Sequence, residues 1–266
     1  MTISSLTPLV ADLLHTVSEE IILPRYQRLD AQDIEEKAKD DLVTVADKES
    51  EIFLAEGLAR LLPDARIIGE EACAANPALL DEVGTGLCWI IDPIDGTGNF
   101  AAGRPPFGVM IALTDGTETL GGWIYDPLTK RLCHAVHGEG AAINGVAVKA
   151  RGSGEALPIA GISTLFLAGD ERAEIIRRAE GRLRMVDIPR CAAEQYPRIA
   201  LGVNDVALFH RTLPWDHAAG ALFLTEAGGR VARYDSSPYH VGTTETGMLG
   251  AASPALWDQV AEILFH

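Results

Sequence analysis

The stretch WIIDPIDGTGNF, residues 89–100, joins an apolar run to two closely spaced carboxylates. The run from Trp89 to Ile91 predicts a buried strand, because a short apolar run bounded by Pro and Gly fits a strand better than a helix. The chain must then turn sharply, so Asp92 and Asp95 are expected to leave the sheet edge close together. Crowded carboxylates repel each other unless protons or a cation intervene. Hard divalent cations such as Mg²⁺ prefer oxygen ligands of this kind, so the stretch predicts a cation site.

Gly96 and Thr97 follow the carboxylates and are expected to place backbone N–H groups at the start of a helix. Such N–H groups, beside a cation, form a site for a phosphate. The pattern D-P-x-D-G also occurs in ordinary turns, since Pro fixes φ, Gly permits positive φ and Asp caps its neighbours. The motif alone leaves both interpretations open, and the rest of the chain must decide between them.

The composition limits the class of protein and its partners. Of the 266 residues, 47% are hydrophobic and 23% are charged, which is typical of a soluble globular protein with a substantial core. The net charge of −16 disfavours nucleic acid as a partner, because no basic run is present to neutralise a phosphate backbone. An anionic substrate would be repelled at long range, so an anion site in this chain needs local cations.

The cysteines and the apolar runs indicate where the protein works. The four cysteines show no CxxC spacing, so we expect buried free thiols in a reducing cytoplasm rather than a zinc site or a disulfide framework. The N-terminal segment lacks the basic region of a secretory signal. No apolar run is long enough to cross a bilayer, so we expect no membrane partner.

Hydrophobic periodicity predicts a layered α/β chain. Helices are expected over residues 5–29 and from a capping box at Thr44 and Asp47 to about Leu62. The first half also has predicted strands at 66–71, around Trp89, at 107–114, 119–125 and 131–136, and a hairpin around Asn144-Gly145. The second half has predicted strands at 159–163, 183–188, 205–210, 229–234 and near Met248, alternating with helices at 171–180, 191–201, 215–227 and from Pro254.

Residues 151–158, RGSGEALP, form the one flexible-looking segment of the sequence. Its Gly and Ser content makes it the best candidate for a boundary inside the chain. We therefore expect a single domain over residues 1–266, with sub-halves of about 1–150 and 151–266.

Further acidic side chains are predicted at the ends of other elements. Asp47 lies at a helix start, and Glu70 and Glu71 follow a strand. Asp216 begins the helix that follows the strand at 205–210. Ligands of open α/β sheets gather outside strand ends, so these side chains can converge although they are distant in sequence. Taken singly, each has a simpler interpretation, as a helix cap, a solvated acidic pair or a charge favoured by the helix dipole.

Together, these segments resemble the inositol monophosphatase family of Mg²⁺-dependent, lithium-sensitive sugar and nucleotide phosphatases. The matching segments are DLVTVAD (41–47), GEE (69–71), WIIDPIDGTGNF (89–100), HGEGAAINGVAV (137–148) and PWDHAAG (214–220). The resemblance extends over nearly the whole chain, and DPIDGT paired with WDxAAG is highly specific. It implies an α/β fold of the layered αβαβα sandwich type, and a homodimer.

The resemblance also implies a set of metal ligands. Glu70, Asp92 and the backbone carbonyl of Ile94 are expected to hold a first Mg²⁺ ion. Asp92 is expected to bridge to a second Mg²⁺ ion, which Asp95 and Asp216 also hold. Glu70, counted among the catalytic residues, is expected to hold a third, loosely bound ion as well.

The roles in catalysis follow from the same resemblance. The Thr97 hydroxyl, oriented by Asp47, is expected to position the attacking water and help to deprotonate it. The backbone amides of Gly96 and Thr97 are expected to bind the phosphate, with Asp95 and Asp216 beside it. Phosphoryl transfer needs charge neutralisation and alignment more than covalent help, so no phosphoenzyme is required.

Two segments depart from the family pattern. Phe209 stands seven residues before Asp216, where inositol-specific members commonly carry an acidic residue that contacts the sugar. The usual G-S-A-A segment reads RCAA at residues 190–193 and is followed by Glu194. Both changes fall in the pocket for the leaving group, so inositol preference stays open. Arg190 and Glu194 are candidates for contacts with the substrate, and a solvated surface arginine is the other interpretation of Arg190.

The sequence therefore predicts a Mg²⁺-dependent phosphomonoesterase for a small phosphorylated polyol or sugar resembling inositol monophosphate. Fructose-1,6-bisphosphate, histidinol phosphate and 3′-phosphoadenosine 5′-phosphate stay open as substrates. A different class stays open too, because some bacterial relatives act by binding macromolecular partners. A Ca²⁺-binding structural module is disfavoured, since the chain contains no EF-hand loop.

Overall fold

Two large β-sheets alternate with three layers of helices in the described part of the chain, which confirms the αβαβα order. The computed structural model describes residues 2–38, 41–243 and 245–266. No helix among these residues is both long enough and apolar enough to span a bilayer.

The N-terminal segment forms the first helical layer. Helix α1 (Thr7–Val17) continues through a π-helical turn (Ser18–Ile22) into α2 (Leu23–Arg25), so the predicted helix ends four residues early. A hairpin of β1 (Ile34–Ala38) and β2 (Asp41–Thr44) precedes α3 (Val45–Leu61). The sequence indicated only a charged stretch where this hairpin lies. Residues 39 and 40 of that stretch lie outside the described residues.

The first large sheet has seven strands that neighbour one another in chain order. The strands are β3 (Arg66–Gly69), β4 (Leu87–Asp95), β5 (Gly108–Asp115), β6 (Glu118–Asp126), β7 (Arg131–Val136), β8 (Gly140–Ile143) and β9 (Val146–Val148). The first pair is parallel and the others are antiparallel. Short helices α4 (Glu70–Ala75) and α5 (Thr97–Ala101) follow the two parallel strands directly. The predicted strands and the Asn144-Gly145 hairpin are thereby confirmed.

The second sheet and the remaining helices come from the alternating half of the chain. Its strands are β10 (Ile159–Ile162), β11 (Arg184–Val186), β12 (Val206–Phe209), β13 (Arg230–Ala232) and β14 (Met248–Ala251), in the order β11-β10-β12-β14-β13. The helices are α6 (Gly169–Ala179), α7 (Ala192–Ala200), α8 (Pro214–Glu226) and α9 (Pro254–Phe265). Helices α7 and α8 lie between the two sheets, whereas α6 and α9 cover the outer face of the second sheet.

Apolar residues in β4 do not alternate with polar ones, because both faces of this strand are covered. Trp89 and Ile91 pack in the core beneath α1 and α3, whereas Cys88 and Ile90 pack in the core around α7 and α8. A strand covered on both faces reads as a continuous apolar run. Because side chains alternate along a strand, the next residue, Asp92, falls on the face that meets α8.

The segment at residues 151–158 contains no regular secondary structure but is held to the second sheet. The Asp205 carboxylate accepts hydrogen bonds from Ser153 N at 2.7 Å, from Ser153 Oγ at 2.5 Å and from Ile159 N at 2.8 Å. The segment is therefore anchored at its middle and at its end. The division of the chain at this segment stays a prediction.

Helix α8 approaches the first sheet closely because β6 has a glycine at the contact. A Cβ atom on Gly122 would lie 2.9 Å from both the Cα and the carbonyl oxygen of Ala219 in α8. Backbone atoms cannot move aside as a flexible side chain can. Gly122 therefore sets the distance between the sheet and the helix that carries Asp216.

We expect Gly122→Ala to lower the free energy of unfolding by about 1–3 kcal/mol, because overpacking must displace α8. Gly169→Ala is the matched control, since a Cβ atom there meets nothing within 4 Å and the residue begins the exposed helix α6. The control should change stability by at most about 1 kcal/mol, in the stabilising direction. Urea unfolding measures both variants, and equal stability of the two would contradict this account of the packing.

Candidate active site

A bulge at the end of β4 brings two carboxylates to one side. Asp92 pairs with Met110 and Asp95 pairs with Gly108, so three steps along β4 match two steps along β5. In a regular strand, residues three apart would point to opposite faces. The extra residue, in the segment that contains Pro93, changes the direction of the later side chain. Both carboxylates consequently line one cavity.

Helix α8 supplies the third carboxylate. Pro214 is the first residue of this helix, a position where its missing N–H costs nothing, and Asp216 lies in the first turn. One carboxylate oxygen from each of Asp92, Asp95 and Asp216 lies within 4.8 Å of the others. The predicted convergence of Asp92, Asp95 and Asp216, which are up to 124 positions apart (216 − 92), is present in the structure.

The three carboxylates are unfavourable neighbours without a cation. Burial raises the pKa of Asp92 well above its usual range, and the charges of Glu70, Asp95 and Asp216 add to the effect. Burial raises the pKa of Asp216 to about 8, although Arg211 opposes the shift. The Asp92 Oδ1 atom is buried and has no hydrogen-bond partner among the described residues. An unpaired buried oxygen in a group of repelling carboxylates fits a divalent cation.

The Asp95 carboxylate accepts a hydrogen bond from the backbone, unlike the unpaired Oδ1 of Asp92. Burial raises the pKa of Asp95 to about 6, while hydrogen bonds from the backbone oppose this shift. Its Oδ2 accepts a hydrogen bond from the N–H of Ala193 at 2.6 Å, in the first turn of α7. Through this bond the start of α7 is attached to the carboxylate cluster.

Glu70 lines the same cavity but is not one of the three clustered carboxylates. It begins α4 directly after β3, and its Oε1 accepts a hydrogen bond from Lys37 Nζ at 2.8 Å. Lys37 Nζ also lies 3.0 Å from Glu71 Oε1. The contacts of Lys37 with Glu70 and Glu71 were not predictable from the sequence, because Lys37 is one of many charges in a stretch without apolar periodicity.

Asp47 caps its helix and also contacts Thr97 on the cavity wall. Its Oδ2 accepts hydrogen bonds from Thr44 N at 2.8 Å and from Thr44 Oγ1 at 2.5 Å. Its Oδ1 lies 3.2 Å from the Thr97 hydroxyl, which also lies 2.9 Å from the carbonyl oxygen of Ile94. Burial raises the pKa of Asp47 to about 7, while the bonds from Thr44 oppose that shift.

A left-handed glycine turns the chain from β4 into α5. Gly96 has φ of +85°, and a Cβ atom there would lie 3.0 Å from the Pro106 carbonyl oxygen. Three residues on, the Asn99 carboxamide donates to the carbonyls of Pro106 and Pro189 at 2.8 and 2.9 Å. Asn99 thus holds Pro189, the residue before Arg190, against the stretch WIIDPIDGTGNF (residues 89–100). Asn99 was not predictable as a site residue, because an asparagine in a short helix carries no pattern that marks a long-range contact.

The cavity has a volume of about 460 Å³ and extends from the carboxylates towards the second sheet. Arg190 lines it with φ of +53°, and its exposed guanidinium makes no hydrogen bond or ion pair in the described part of the chain. Phe209 lines it as well and stacks on the Tyr196 ring, with 5.2 Å between ring centroids. One wall is therefore cationic and aromatic rather than acidic.

The structure corrects one expectation about the leaving-group pocket. Glu194 does not line the cavity, because its carboxylate pairs with Arg131 at 2.6 Å and with Arg198 at 2.8 Å. Arg131 comes from β7, so the sequence spacing around residues 190–194 could not reveal this pair. Glu194 holds α7 against the first sheet instead of facing a substrate.

His217 is occupied within the fold. Its Nε2 donates to the carbonyl of Arg211 at 3.0 Å, which leaves Nδ1 to accept from the Tyr196 hydroxyl at 2.9 Å. Burial lowers the pKa of His217 to about 4, so the ring is neutral near pH 7.

Comparison with known proteins agrees with this geometry. The profile of the inositol monophosphatase family matches residues 6–264. The fructose-1,6-bisphosphatase/inositol-1-monophosphatase of Aquifex aeolicus is 30% identical over 225 residues, which cover 83% of each chain. The Nus factor SuhB of Haemophilus influenzae is 31% identical over 243 residues, which cover 81% of this chain and 80% of that protein. The structure of Thermotoga maritima IMPase superposes with a TM-score of 0.80 at 25% identity, covering 97% of this chain and 96% of that chain.

These relatives carry the names of phosphatases and of a Nus factor, so the match alone does not define a substrate. The match includes every segment that contributes to the carboxylate cavity and extends over nearly all of the chain. The chain belongs to the inositol monophosphatase family.

Proposed function

We propose that this protein is a Mg²⁺-dependent phosphomonoesterase that hydrolyses a small phosphorylated polyol or sugar. The observation that carries the proposal is the cluster of Asp92, Asp95 and Asp216, whose oxygens lie within 4.8 Å of one another beside Thr97. A phosphate monoester is anionic and the chain has a net charge of −16, so binding needs cations at that point.

Asp92, Asp95 and Asp216 would hold Mg²⁺, together with Glu70 and the carbonyl of Ile94 on the adjoining wall. When bound, the ions supply positive charge that offsets the phosphate and makes water more acidic. Glu70 already has the Lys37 ammonium as a partner. Any cation bound at Glu70 would compete with that ammonium.

Thr97 is suited to orient the attacking water. With its proton directed at Asp47 Oδ1, the hydroxyl oxygen keeps lone pairs that can accept a hydrogen bond from water. Asp47 is buried beside it and can accept the proton that the hydroxyl passes on. Gly96, where β4 turns into α5, lets backbone amides approach a phosphate without a side chain in the way.

Hydrolysis by water fits the residues of the cavity wall better than a covalent phosphoenzyme does. Cys191 lines the cavity, but burial and the neighbouring Asp95 raise the pKa of its thiol well above the usual range. A neutral thiol is a poor nucleophile. The nitrogens of His217 are both engaged within the fold.

A sugar bisphosphate is the second candidate substrate, and Arg190 favours it. This guanidinium lies on the cavity wall and has no partner in the described ranges, so it can meet a second anionic group. 3′-Phosphoadenosine 5′-phosphate, which also carries two phosphates, stays open on the same ground, and histidinol phosphate stays open from the resemblance alone. A non-catalytic role like that of a Nus factor is less well supported, because crowded buried carboxylates are costly to keep without a function. A cytoplasmic location stays a prediction from the cysteines, and a homodimer stays a prediction from the resemblance.

The direct test is Mg²⁺-dependent release of phosphate from inositol 1-phosphate, fructose-1,6-bisphosphate, histidinol phosphate and 3′-phosphoadenosine 5′-phosphate. We expect release from at least one of them, lost on chelation of Mg²⁺ and inhibited by Li⁺. Asp216→Asn keeps the shape of the side chain but removes its charge, and should lower turnover at least about a hundredfold. A folded variant with a near-normal rate would contradict the metal assignment.

The role of Thr97 is tested with Thr97→Ala, with Thr97→Ser as the matched control that keeps the hydroxyl. We expect the alanine variant to lower kcat by about a hundredfold while KM and the Mg²⁺ dependence change little, because the water loses its orienting partner. The serine variant should keep most of the activity. If the alanine variant only weakens the Mg²⁺ dependence, Thr97 supports the metal site and does not orient water.

A further inference from the structure

Glu51 is a buried side chain of α3 whose carboxylate binds the backbone at the start of another helix. Only 8% of the residue is exposed, and it does not line the cavity. Its Oε2 accepts a hydrogen bond from the N–H of Glu71 at 2.7 Å, and its Oε1 accepts one from the N–H of Ala72 at 2.8 Å. Both N–H groups belong to the first turn of α4, which begins at Glu70. Glu51 therefore holds the turn that carries Glu70.

A glycine leaves the room for this contact. The first N–H groups of a helix have no partner within the helix, and the side chain of the residue before the helix often supplies an acceptor. Before α4 that residue is Gly69, which has no side chain, and a Cβ atom there would collide with the Glu51 carboxylate. Gly69 has φ of −110° and ψ of 160°, an extended conformation that any residue adopts. The contact with Glu51, and not the backbone, therefore favours glycine at this position.

The same face of α3 carries Asp47, one turn before Glu51. Residues four apart in a helix lie on one face, one above the other. Asp47 Oδ1 lies 3.2 Å from the hydroxyl of Thr97, the first residue of α5, whereas Glu51 binds the start of α4. Helices α4 and α5 follow β3 and β4, the parallel pair of the first sheet. One face of α3 thus fixes both segments that leave this edge of the sheet beside the cavity.

The contact uses both oxygens of the Glu51 carboxylate. A carboxylate can accept hydrogen bonds on two atoms, whereas a carboxamide has one accepting oxygen and an NH₂ group that would face the second N–H. Burial raises the pKa of Glu51 to about 7, while the bonds from Glu71 and Ala72 oppose that shift. The side chain of Glu70 has its own partner, because its Oε1 accepts a hydrogen bond from Lys37 Nζ at 2.8 Å. Glu51 therefore acts on the backbone around Glu70 and not on its carboxylate.

We propose that Glu51 is a positioning residue, which places Glu70 for metal binding by holding the first turn of α4. This assignment rests on the proposed function, in which Glu70 is a metal ligand. The clustered carboxylates of Asp92, Asp95 and Asp216 come from β4 and α8 instead. Loss of the Glu51 contact should therefore weaken only the ions that Glu70 helps to hold.

The test measures Mn²⁺ binding at pH 8 in wild type and in Glu51→Gln, from the electron paramagnetic resonance signal of free Mn²⁺. We expect at least one Mn²⁺ ion to bind about 10- to 100-fold more weakly in the variant, because a group that orients a metal ligand is lost. At least one other ion should keep its affinity. In the phosphatase assay, the Mg²⁺ concentration for half-maximal rate should rise, while kcat at saturating Mg²⁺ changes little because the ligands themselves are intact.

Gly69→Ala is the second variant, and Asp205→Asn is the matched control. The added methyl group displaces the Glu51 carboxylate and leaves its charge in place, so it should weaken the same Mn²⁺ ion. Asp205 is also buried and also accepts two backbone N–H groups, from Ser153 and Ile159, but it does not line the cavity. The control should therefore lose stability and keep the Mn²⁺ affinities of wild type. If Glu51→Gln does not fold, the result for Gly69→Ala decides.

Two outcomes would overturn the proposal. Folded Glu51→Gln and Gly69→Ala variants that bind every Mn²⁺ ion as tightly as wild type would make the contact purely structural. An Asp205→Asn variant that loses as much Mn²⁺ affinity would show that a general loss of stability explains the effect. A wild type that binds no Mn²⁺ would instead contradict the proposed metal site, and with it the proposed function itself.

Discussion

Electrostatic repulsion among three crowded carboxylates, which are buried or half-buried, is the constraint on which this structure depends. Asp92, Asp95 and Asp216 converge to within 4.8 Å, and burial raises the pKa of each. Such a cluster opposes folding unless protons or cations balance it. The surrounding fold must therefore hold the three side chains in place at a cost in stability, and stability is commonly sacrificed in this way at functional sites.

Three local features maintain that convergence, and each acts on a different element. The bulge in β4 places Asp92 and Asp95 on one side of the strand. The close contact at Gly122 sets the distance of α8 from the first sheet. The bond from Ala193 to Asp95 attaches α7 to the cluster. The first two features are backbone geometry, which a single side-chain substitution in the cavity would leave intact, whereas the third depends on the Asp95 carboxylate itself.

The sequence predicted the elements well because their signals are local. The apolar run before Asp92 and the alternation after residue 158 each define strands and helices by periodicity alone. The strand-end rule for α/β sheets then predicts that distant acids converge, and the structure agrees for Asp92, Asp95 and Asp216.

Long-range partners were not predictable in the same way. The hairpin that brings Lys37 to Glu70 lies in a charged stretch without alternation, so no pattern marks it. Glu194 was expected at the substrate, but an arginine from β7, distant in sequence, draws it away from the cavity.

The central claim is that the cluster binds cations and a phosphate together. The most direct test of this claim is to measure the anomalous diffraction of crystals grown with saturating Mn²⁺ and inorganic phosphate. The account predicts metal peaks in contact with the carboxylates of Asp92, Asp95 and Asp216, and a phosphate bound to them beside Thr97. A well-ordered cavity with no metal in contact with any of these three carboxylates would contradict it.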